Sequence, residues 1–320
     1  MHRDHRRNVV VRPGFVAAAL AGVVLLAVGC GSSESRQKVA TRLATNLGEP
    51  VAFASPSPGR LLFAERLTGR VRAIVDGRLS NEDIARVDVS TAGQRGLLGM
   101  AVDNDGNVFV AYTENFGDRR IIVAKVRGSV EQIVWRGPAS QDQANGGHLQ
   151  FAPSGALIVG IGELAAKQLA DSIGPPPERL AAGRLLELDP RGQADQTPKV
   201  MSSGWYNPYA FVVRTDGSVW VADNAPNGTP ERLARGDRDG KPTEILEFDE
   251  ELIPTALTVD ANNDFVMCTL TGSGVRKQVG QSQFGDSITT SPCTRSAFGL
   301  PGTNRLVFSD ETSIFELSVA

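Results

Sequence analysis

Histidine and acidic side chains are the first candidates for chemistry in this 320-residue chain. Beyond its first five residues the sequence has a single histidine, His148. A neutral imidazole with a pKa near the working pH can take a proton from a hydroxyl group. His148 is therefore either a catalytic base or a hydrogen-bonded residue inside the fold. One histidine is too few for a histidine-rich metal site, and no Gly-x-Ser-x-Gly motif is present.

Two acidic residues carry the kind of oxygen ligand that calcium prefers, Asp223 and Glu231. Asp223 follows the apolar run Trp220-Val221-Ala222, so it stands at the end of a predicted strand. The alternative is an Asx-type turn, in which the Asp223 carboxylate accepts backbone N–H groups. Both interpretations place Asp223 in a loop, where functional residues of β-rich folds are usually found.

A repeated pattern shows which elements position these residues. Each copy has an apolar strand, a turn containing Gly or Asn, and a second apolar strand, and the turns lie about 40 to 60 residues apart. Six copies in about 275 residues predict an all-β fold, a six-bladed β-propeller of four-stranded antiparallel blades. The turns of the six copies are at Pro58-Gly59, Asp105-Gly106, Ser154-Gly155, Asp216-Gly217, Asn262-Asn263 and Gly302-Thr303-Asn304.

Aromatic residues in these strands are expected to pack between neighbouring blades, and function is expected in loops at one face of the central channel. The expected packing residues are Phe63, Phe109, Trp220, Phe265 and Phe308. One short helix is predicted from Pro177 to Leu186. A formal charge of −3 and a pI of about 5.7 give no basic surface for nucleic acid, so no nucleic-acid partner is expected.

The N-terminus has the pattern of an export signal. Residues 1–29 combine an arginine-rich head with an apolar run from Phe15 to Val28 that is short for a membrane span. Ala27-Val28-Gly29-Cys30 resembles a bacterial lipobox, whose cysteine receives a diacylglycerol. We therefore expect a lipid anchor at Cys30, a tether over residues 30–45, the propeller over residues 46–320, and a location at the extracytoplasmic face of the cell membrane. The alternatives are an ordinary signal peptide with an incidental cysteine and, from Arg6-Arg7, twin-arginine export.

Two further cysteines, Cys268 and Cys293, are present in the predicted propeller. In an exported protein they are expected to form a disulfide. Two buried free thiols are the alternative.

Several segments together resemble the secreted quinoprotein sugar dehydrogenases, the glucose/sorbosone dehydrogenase family. Residues 143–151 read Gln-Ala-Asn-Gly-Gly-His-Leu-Gln-Phe and are followed by the strand that leads to Gly162-Glu163. The family has a catalytic histidine where Ala144 stands, an arginine at His148 and an aspartate at Glu163. The resemblance implies a six-bladed propeller that binds pyrroloquinoline quinone (PQQ) and calcium, and it also implies that the usual base is missing.

Other segments carry the resemblance to the cofactor site. Gln94, in Gln-Arg-Gly-Leu-Leu-Gly, matches a cofactor-contacting position, and the neighbouring Arg95 could add a positive charge. A tight turn is the alternative there. In residues 204–211 Asn207 matches the family, whereas Tyr206 replaces a cofactor-binding arginine. The calcium loop corresponds to residues 220–226. Its expected ligands here are Asp223, Ala225, Pro226 and the nearby Glu231.

Three functions remain open. The first is a degenerate or weakly active relative that binds a sugar or a cell-envelope component. The second is an active PQQ- and calcium-dependent aldose dehydrogenase, and the third is a calcium-dependent lactonase. Glu65, in a Glu-Arg pair that also resembles the family, would serve the lactonase together with Asn207 and Asp223. His148 is then a displaced base or a residue that lines the channel.

Overall fold

The computed structural model describes residues 37–164, 181–225, 230–237, 240–248, 251–279 and 283–319. The predicted signal peptide and Cys30 lie outside these residues, as does Pro226. The first half of the described chain contains β1 Thr41–Ala44, β2 Pro50–Ser57, β3 Arg60–Glu65, β4 Arg70–Val75, β5 Arg78–Leu79, β6 Ala85–Arg86, β7 Leu97–Val102, β8 Val108–Thr113, β9 Arg120–Arg127, β10 Val130–Ala139, β11 Gly146–Phe151 and β12 Leu157–Ile161.

The second half continues with further strands and a 3₁₀ turn at Thr271–Ser273. Its strands are β13 Arg184–Leu188, β14 Lys199–Ser203, β15 Ala210–Val213, β16 Val219–Asp223, β17 Arg232–Arg235, β18 Thr243–Glu247, β19 Pro254–Val259, β20 Phe265–Thr269, β21 Val275–Val279, β22 Gln283–Ser287, β23 Ala297–Gly299, β24 Arg305–Ser309 and β25 Ile314–Ser318. The helix predicted up to Leu186 is wrong in its last part, because Arg184–Leu188 pairs as a strand with β12 and β14.

The strands form six antiparallel sheets, which confirms the predicted six-bladed propeller. Blades one to five are β2–β5 (with β6 beside β4), β7–β10, β11–β14, β15–β18 and β19–β22. Blade six combines β23, β24 and β25 with β1, which pairs with β25 through Thr41 and Glu316. The N-terminal strand therefore closes the ring. The first strand of each blade contacts the first strand of the next, so these six inner strands surround a central channel.

The repeated turns connect the first and second strands of each blade. In all six, one residue has a positive φ: Gly in five of them and Asn263, at 67°, in blade five. Gly106, Gly155, Gly217 and Gly302 have no neighbouring atom within 4 Å of a Cβ built on them. Glycine is therefore favoured at these four turns by backbone conformation and not by lack of space.

In the described parts of the chain the hydrophobic core forms six clusters, and each lies between two neighbouring blades. Four of the predicted packing aromatics are buried and Trp220 is partly buried against the cluster between blades four and five. Cys268 and Cys293 form a disulfide between β20 and the segment before blade six, with their Cα atoms 5.3 Å apart. Within the described ranges, the structure has no helix long and apolar enough to cross a membrane.

Candidate functional site

A cavity lies at the end of the channel where the inner strands begin. This central cavity has a volume of about 270 Å³ and is open to solvent. Its wall comes from residues at or just before the first strand of every blade, together with Arg66, Asn224 and Leu270, which follow second strands. Ring closure therefore brings together residues that are distant in sequence. The polar side chains on its wall include Glu49, Arg66, Gln94, Asn207, Tyr209 and Arg295.

Tyr209 spans the channel below this cavity. Its hydroxyl donates a hydrogen bond to the carbonyl of Val51 (3.4 Å). Val51 belongs to blade one and Tyr209 precedes the first strand of blade four, so the bond joins opposite sides of a six-bladed ring. Burial raises the pKa of the Tyr209 hydroxyl above its ordinary value. The phenol therefore stays protonated, and its O–H group remains a hydrogen-bond donor.

His148 lies in a separate part of the channel. Its ring is 6.1 Å from that of Tyr209 and stands edge to face with Phe211 at 4.7 Å. It lines a different cavity of about 460 Å³, farther along the inner strands, which we call the lower channel cavity. Burial lowers the pKa of His148 to about 4, so the imidazole is neutral at physiological pH. Since His148 does not line the central cavity, it is not placed to act as a base there.

Two of the predicted cofactor-binding residues, Gln94 and Asn207, do line the central cavity. Each also forms a hydrogen bond to the loop that contains Ala144, the position where the family has its catalytic histidine. The Oε1 of Gln94 accepts the N–H of Ala144 (2.8 Å), and the Oδ1 of Asn207 accepts the N–H of Gly146 (3.1 Å). Ala144 is 4% exposed with a φ of 52°. At this position the loop offers a methyl group and backbone atoms, and no group that can accept a proton.

Arg95 is not one of the residues that line the central cavity. Its buried guanidinium donates to Ser140 Oγ (2.9 Å) and to Asp142 Oδ1 (2.6 Å). These bonds connect the loop before β7 to the loop before β11. The sequence left two roles open for this segment, a cofactor contact and a tight turn. The observed contacts of Arg95 hold two loops together and do not reach the central cavity.

Tyr206 and Asp223 meet at another cavity, the blade-four cavity, of about 480 Å³. The buried Asp223 carboxylate accepts the backbone N–H groups of Tyr206 and Asn207 at 2.9 to 3.1 Å and pairs with Arg232 at 3.1 Å. Tyr206 and Ala225 also line this cavity. Asp223 therefore anchors the turn before β15, and its charge is balanced by Arg232.

The predicted calcium ligands do not form a complete metal site in the part of the chain described. Glu231 is 4% exposed, and its Oε2 accepts the N–H groups of Leu252 (2.7 Å) and Ile253 (2.8 Å). Burial raises its pKa in spite of these hydrogen bonds, and Oε1 has no hydrogen-bond partner. Among the described residues, no group of three or more His, Cys, Asp or Glu side chains could hold a metal ion.

An ion-pair cluster that motif reading missed lies on the wall of the central cavity. Glu49 binds Arg66 through two hydrogen bonds (2.6 and 3.0 Å) and also contacts Arg295 at 3.3 Å. Burial alone would raise the pKa of Glu49, but its hydrogen bonds and charge interactions with the two arginines hold this pKa below the ordinary value. Arg295 precedes the first strand of blade six, as Gln94 precedes that of blade two. Gln94 and Arg295 therefore hold equivalent positions in two blades.

The glucose/sorbosone dehydrogenase family model matches residues 47–239. No curated protein gives a significant match. Among solved structures, an aldose sugar dehydrogenase from Streptomyces coelicolor in its PQQ-bound form has 22% identity and a TM-score of 0.70, over 88% of this chain and 97% of the other. A Thermus thermophilus protein assigned as an oxidoreductase (glucose dehydrogenase) has 20% identity and a TM-score of 0.71, over 87% and 98%.

A gluconolactonase from Xanthomonas campestris shares the fold at 17% identity with a TM-score of 0.61, over 86% of this chain and 88% of the other. At these identities the structural likeness concerns the fold. The family assignment rests on the family model, which covers more than half of the chain. The propeller, the matching loops before its inner strands and this coverage lead to one conclusion: the chain belongs to the glucose/sorbosone dehydrogenase family.

Proposed function

We propose that this protein is a ligand-binding propeller of its family that has lost the proton-abstracting base of the sugar dehydrogenases. It acts at the extracytoplasmic face of the cell membrane, anchored through a lipid on Cys30. Its ligand is a small polar molecule such as a sugar or a component of the cell envelope. Sugar oxidation is absent or weak.

The observation that carries this proposal is the absence of a usable base among the described residues that line the central cavity. Ala144 replaces the family's histidine, and His148 lies in the lower channel cavity. The only carboxylate on the described wall is that of Glu49, whose pKa is lowered by Arg66 and Arg295. A positioned general base typically contributes about 10²- to 10⁴-fold in rate.

The residues present do not fit PQQ and calcium in the way the resemblance implies. PQQ is an acidic quinone that family members hold with cationic side chains. Here Tyr206 replaces one such arginine and lines the blade-four cavity, and Arg95 is engaged with Ser140 and Asp142. The charge of Asp223 is balanced by Arg232. Calorimetric titration of PQQ with and without calcium should therefore give no binding tighter than micromolar. Tight, calcium-dependent binding would contradict this part of the proposal.

Active, PQQ- and calcium-dependent aldose oxidation is the second candidate. It is favoured by Gln94 and Asn207, which line the central cavity as the resemblance expects. When bound, the quinone would supply the hydride acceptor. A lactonase has less support, although a gluconolactonase shares the fold. Glu65 is bound by Thr68 (2.6 Å) and Arg72 (3.1 Å), and neither Glu65 nor Asp223 lines the central cavity.

Dye-linked oxidation of aldoses distinguishes the two leading candidates. The full chain and its Ala144→His variant are each assayed with added PQQ and calcium. Histidine is among the residues that tolerate a positive φ, so the loop should accept the substitution. Thermal unfolding checks that the variant folds. The proposed function predicts no turnover or only weak turnover by the natural chain and a gain of less than about 10² in the variant, because Tyr206 replaces a cofactor-binding arginine in addition to the missing base. Rapid turnover by the natural chain, or a gain of about 10² or more in the variant, would support a dehydrogenase instead.

A further inference from the structure

We propose that the central cavity binds a small polyhydroxylated carboxylate, a sugar acid, and that Arg295 is the residue that pairs with its carboxylate. The inference rests on the proposed function, since it names the class of ligand for the same cavity. It depends on the charge of the wall, the unequal contacts of its two arginines, and the hydrogen-bonding groups that have no protein partner.

The described wall of the cavity carries a net charge of one. Arg66 and Arg295 contribute two positive charges and Glu49 one negative charge, so 2 − 1 gives +1; Glu311, which pairs with Arg295, does not line the cavity and is not counted. A ligand with one carboxylate balances this charge. A neutral sugar leaves it unbalanced, and a ligand with several carboxylates exceeds it. Such a mismatch weakens binding wherever the ligand displaces water from these charges.

The two arginines differ in how firmly the protein holds them. Arg66 forms two hydrogen bonds with Glu49 and donates two more to the carbonyls of Gly93 (3.0 Å) and Arg95 (2.7 Å). The fold therefore holds Arg66 in place, and its guanidinium is already paired with the carboxylate of Glu49.

Arg295 has weaker contacts. Its distances to the carboxylates of Glu49 and Glu311 are both 3.3 Å, and its one hydrogen bond to a carbonyl is to the adjacent Thr294 (3.1 Å). Glu311 is 48% exposed, so its pair with Arg295 is screened by solvent. A planar guanidinium prefers two parallel hydrogen bonds to one carboxylate. A ligand carboxylate can supply this geometry by replacing Glu311.

Neutral polar groups around the cavity suit a hydroxylated ligand. Gln94 and Asn207 use their oxygens to hold the loop before β11, and their amide nitrogens have no acceptor among the described residues. The hydroxyl of Thr255 is buried on the wall without a partner. A buried polar group without a hydrogen bond is unfavourable, so ligand hydroxyls that reach these groups are favoured.

The size of the cavity agrees with a single sugar unit. Its volume of about 270 Å³ lies just below the range of about 300–1,000 Å³ for small-molecule pockets. The ring of Tyr209 closes the inner end and offers an apolar face beside the polar wall. A monosaccharide acid therefore matches the cavity in charge, hydrogen bonding and size.

Calorimetric titration of glucuronate, gluconate and glucose into the purified full chain in detergent tests this inference. We expect at least one sugar acid to bind, glucose to bind at least tenfold more weakly, and Arg295→Gln to weaken the acid at least tenfold. Arg191→Gln is the matched control, because it removes the same charge from a side chain that is 90% exposed. It should leave binding unchanged.

A second variant tests the inference independently, in case Arg295→Gln does not fold. Glu49→Gln removes a carboxylate that competes for Arg295, so sugar acids should bind more tightly. The inference is overturned if glucose binds as well as the acids, if no sugar acid binds, or if Arg295→Gln has no effect. It is also overturned if Glu49→Gln leaves binding unchanged or weaker. These titrations contain no PQQ, so their failure is distinct from a failure of the proposed function, which is measured by oxidation. Binding of PQQ without binding of sugar acids would overturn both.

Discussion

The hydroxyl of Tyr209 reaches across the channel to the carbonyl of Val51, and His148 lies beside the same tyrosine ring. This arrangement separates the residues of the central cavity from the only histidine of the propeller. It explains why His148 cannot simply replace a base at position 144, although the two residues are only four apart in sequence. Neighbouring residues in a loop and strand can lie in different cavities because the strand runs along the channel.

Removal of the Tyr209 ring should expose His148. In Tyr209→Ala, water can enter between the two cavities, so the pKa of His148 should rise from about 4 toward its ordinary value of 6.5. Tyr209→Phe is the control, because it keeps the ring and loses only the 3.4 Å hydrogen bond. NMR titration of the imidazole protons measures both, with the signal assigned by its loss in His148→Gln. Equal pKa values in the two variants would show that Tyr209 does not shield the histidine.

The low pKa of His148 also predicts how stability depends on pH. Between pH 6.5 and about 4 the unfolded chain binds a proton at this residue that the folded protein does not. The free energy of unfolding should therefore fall as the pH falls through this window, by at most about 3 kcal/mol from this residue. His148→Gln should remove that part of the pH dependence. Urea unfolding at several pH values measures it, and parallel curves for both proteins would contradict the prediction.

The extent to which the sequence predicts the structure differs between the fold and the site. The six turns could be predicted because positive φ selects Gly or Asn locally, at positions such as Gly217 and Asn263. Gln94 and Asn207 could be identified from local motifs that resemble a family. Glu49 and Arg295 could not, since they belong to opposite ends of the chain and become neighbours only when β1 closes the ring. A contact that depends on closure leaves no local pattern.

The disulfide should contribute to stability through the unfolded state. Cys268 and Cys293 are both fully buried and 25 residues apart. By the chain-entropy estimate, a cross-link of this length stabilises the fold by about 3 kcal/mol. Cys268→Ala combined with Cys293→Ala should lower the free energy of unfolding by about this amount, measured by urea denaturation. Treatment of the natural protein with a reductant under unfolding conditions should give a similar loss. No difference between the oxidised and reduced proteins would contradict the prediction.

The lipid anchor predicts where the protein is found in cells. Cys30 is the expected site of diacylglycerol attachment, and it lies outside the residues that the structure describes. In Cys30→Ala, the lipid cannot be attached, so the processed protein should leave the membrane fraction and appear in the soluble fraction. Ser33→Ala is the control, because it changes a residue beside the lipobox and keeps Cys30. Cell fractionation with detection of the propeller measures both. A Cys30→Ala protein that stays in the membrane at its full, unprocessed length would show that residues 15–28 themselves hold the protein there.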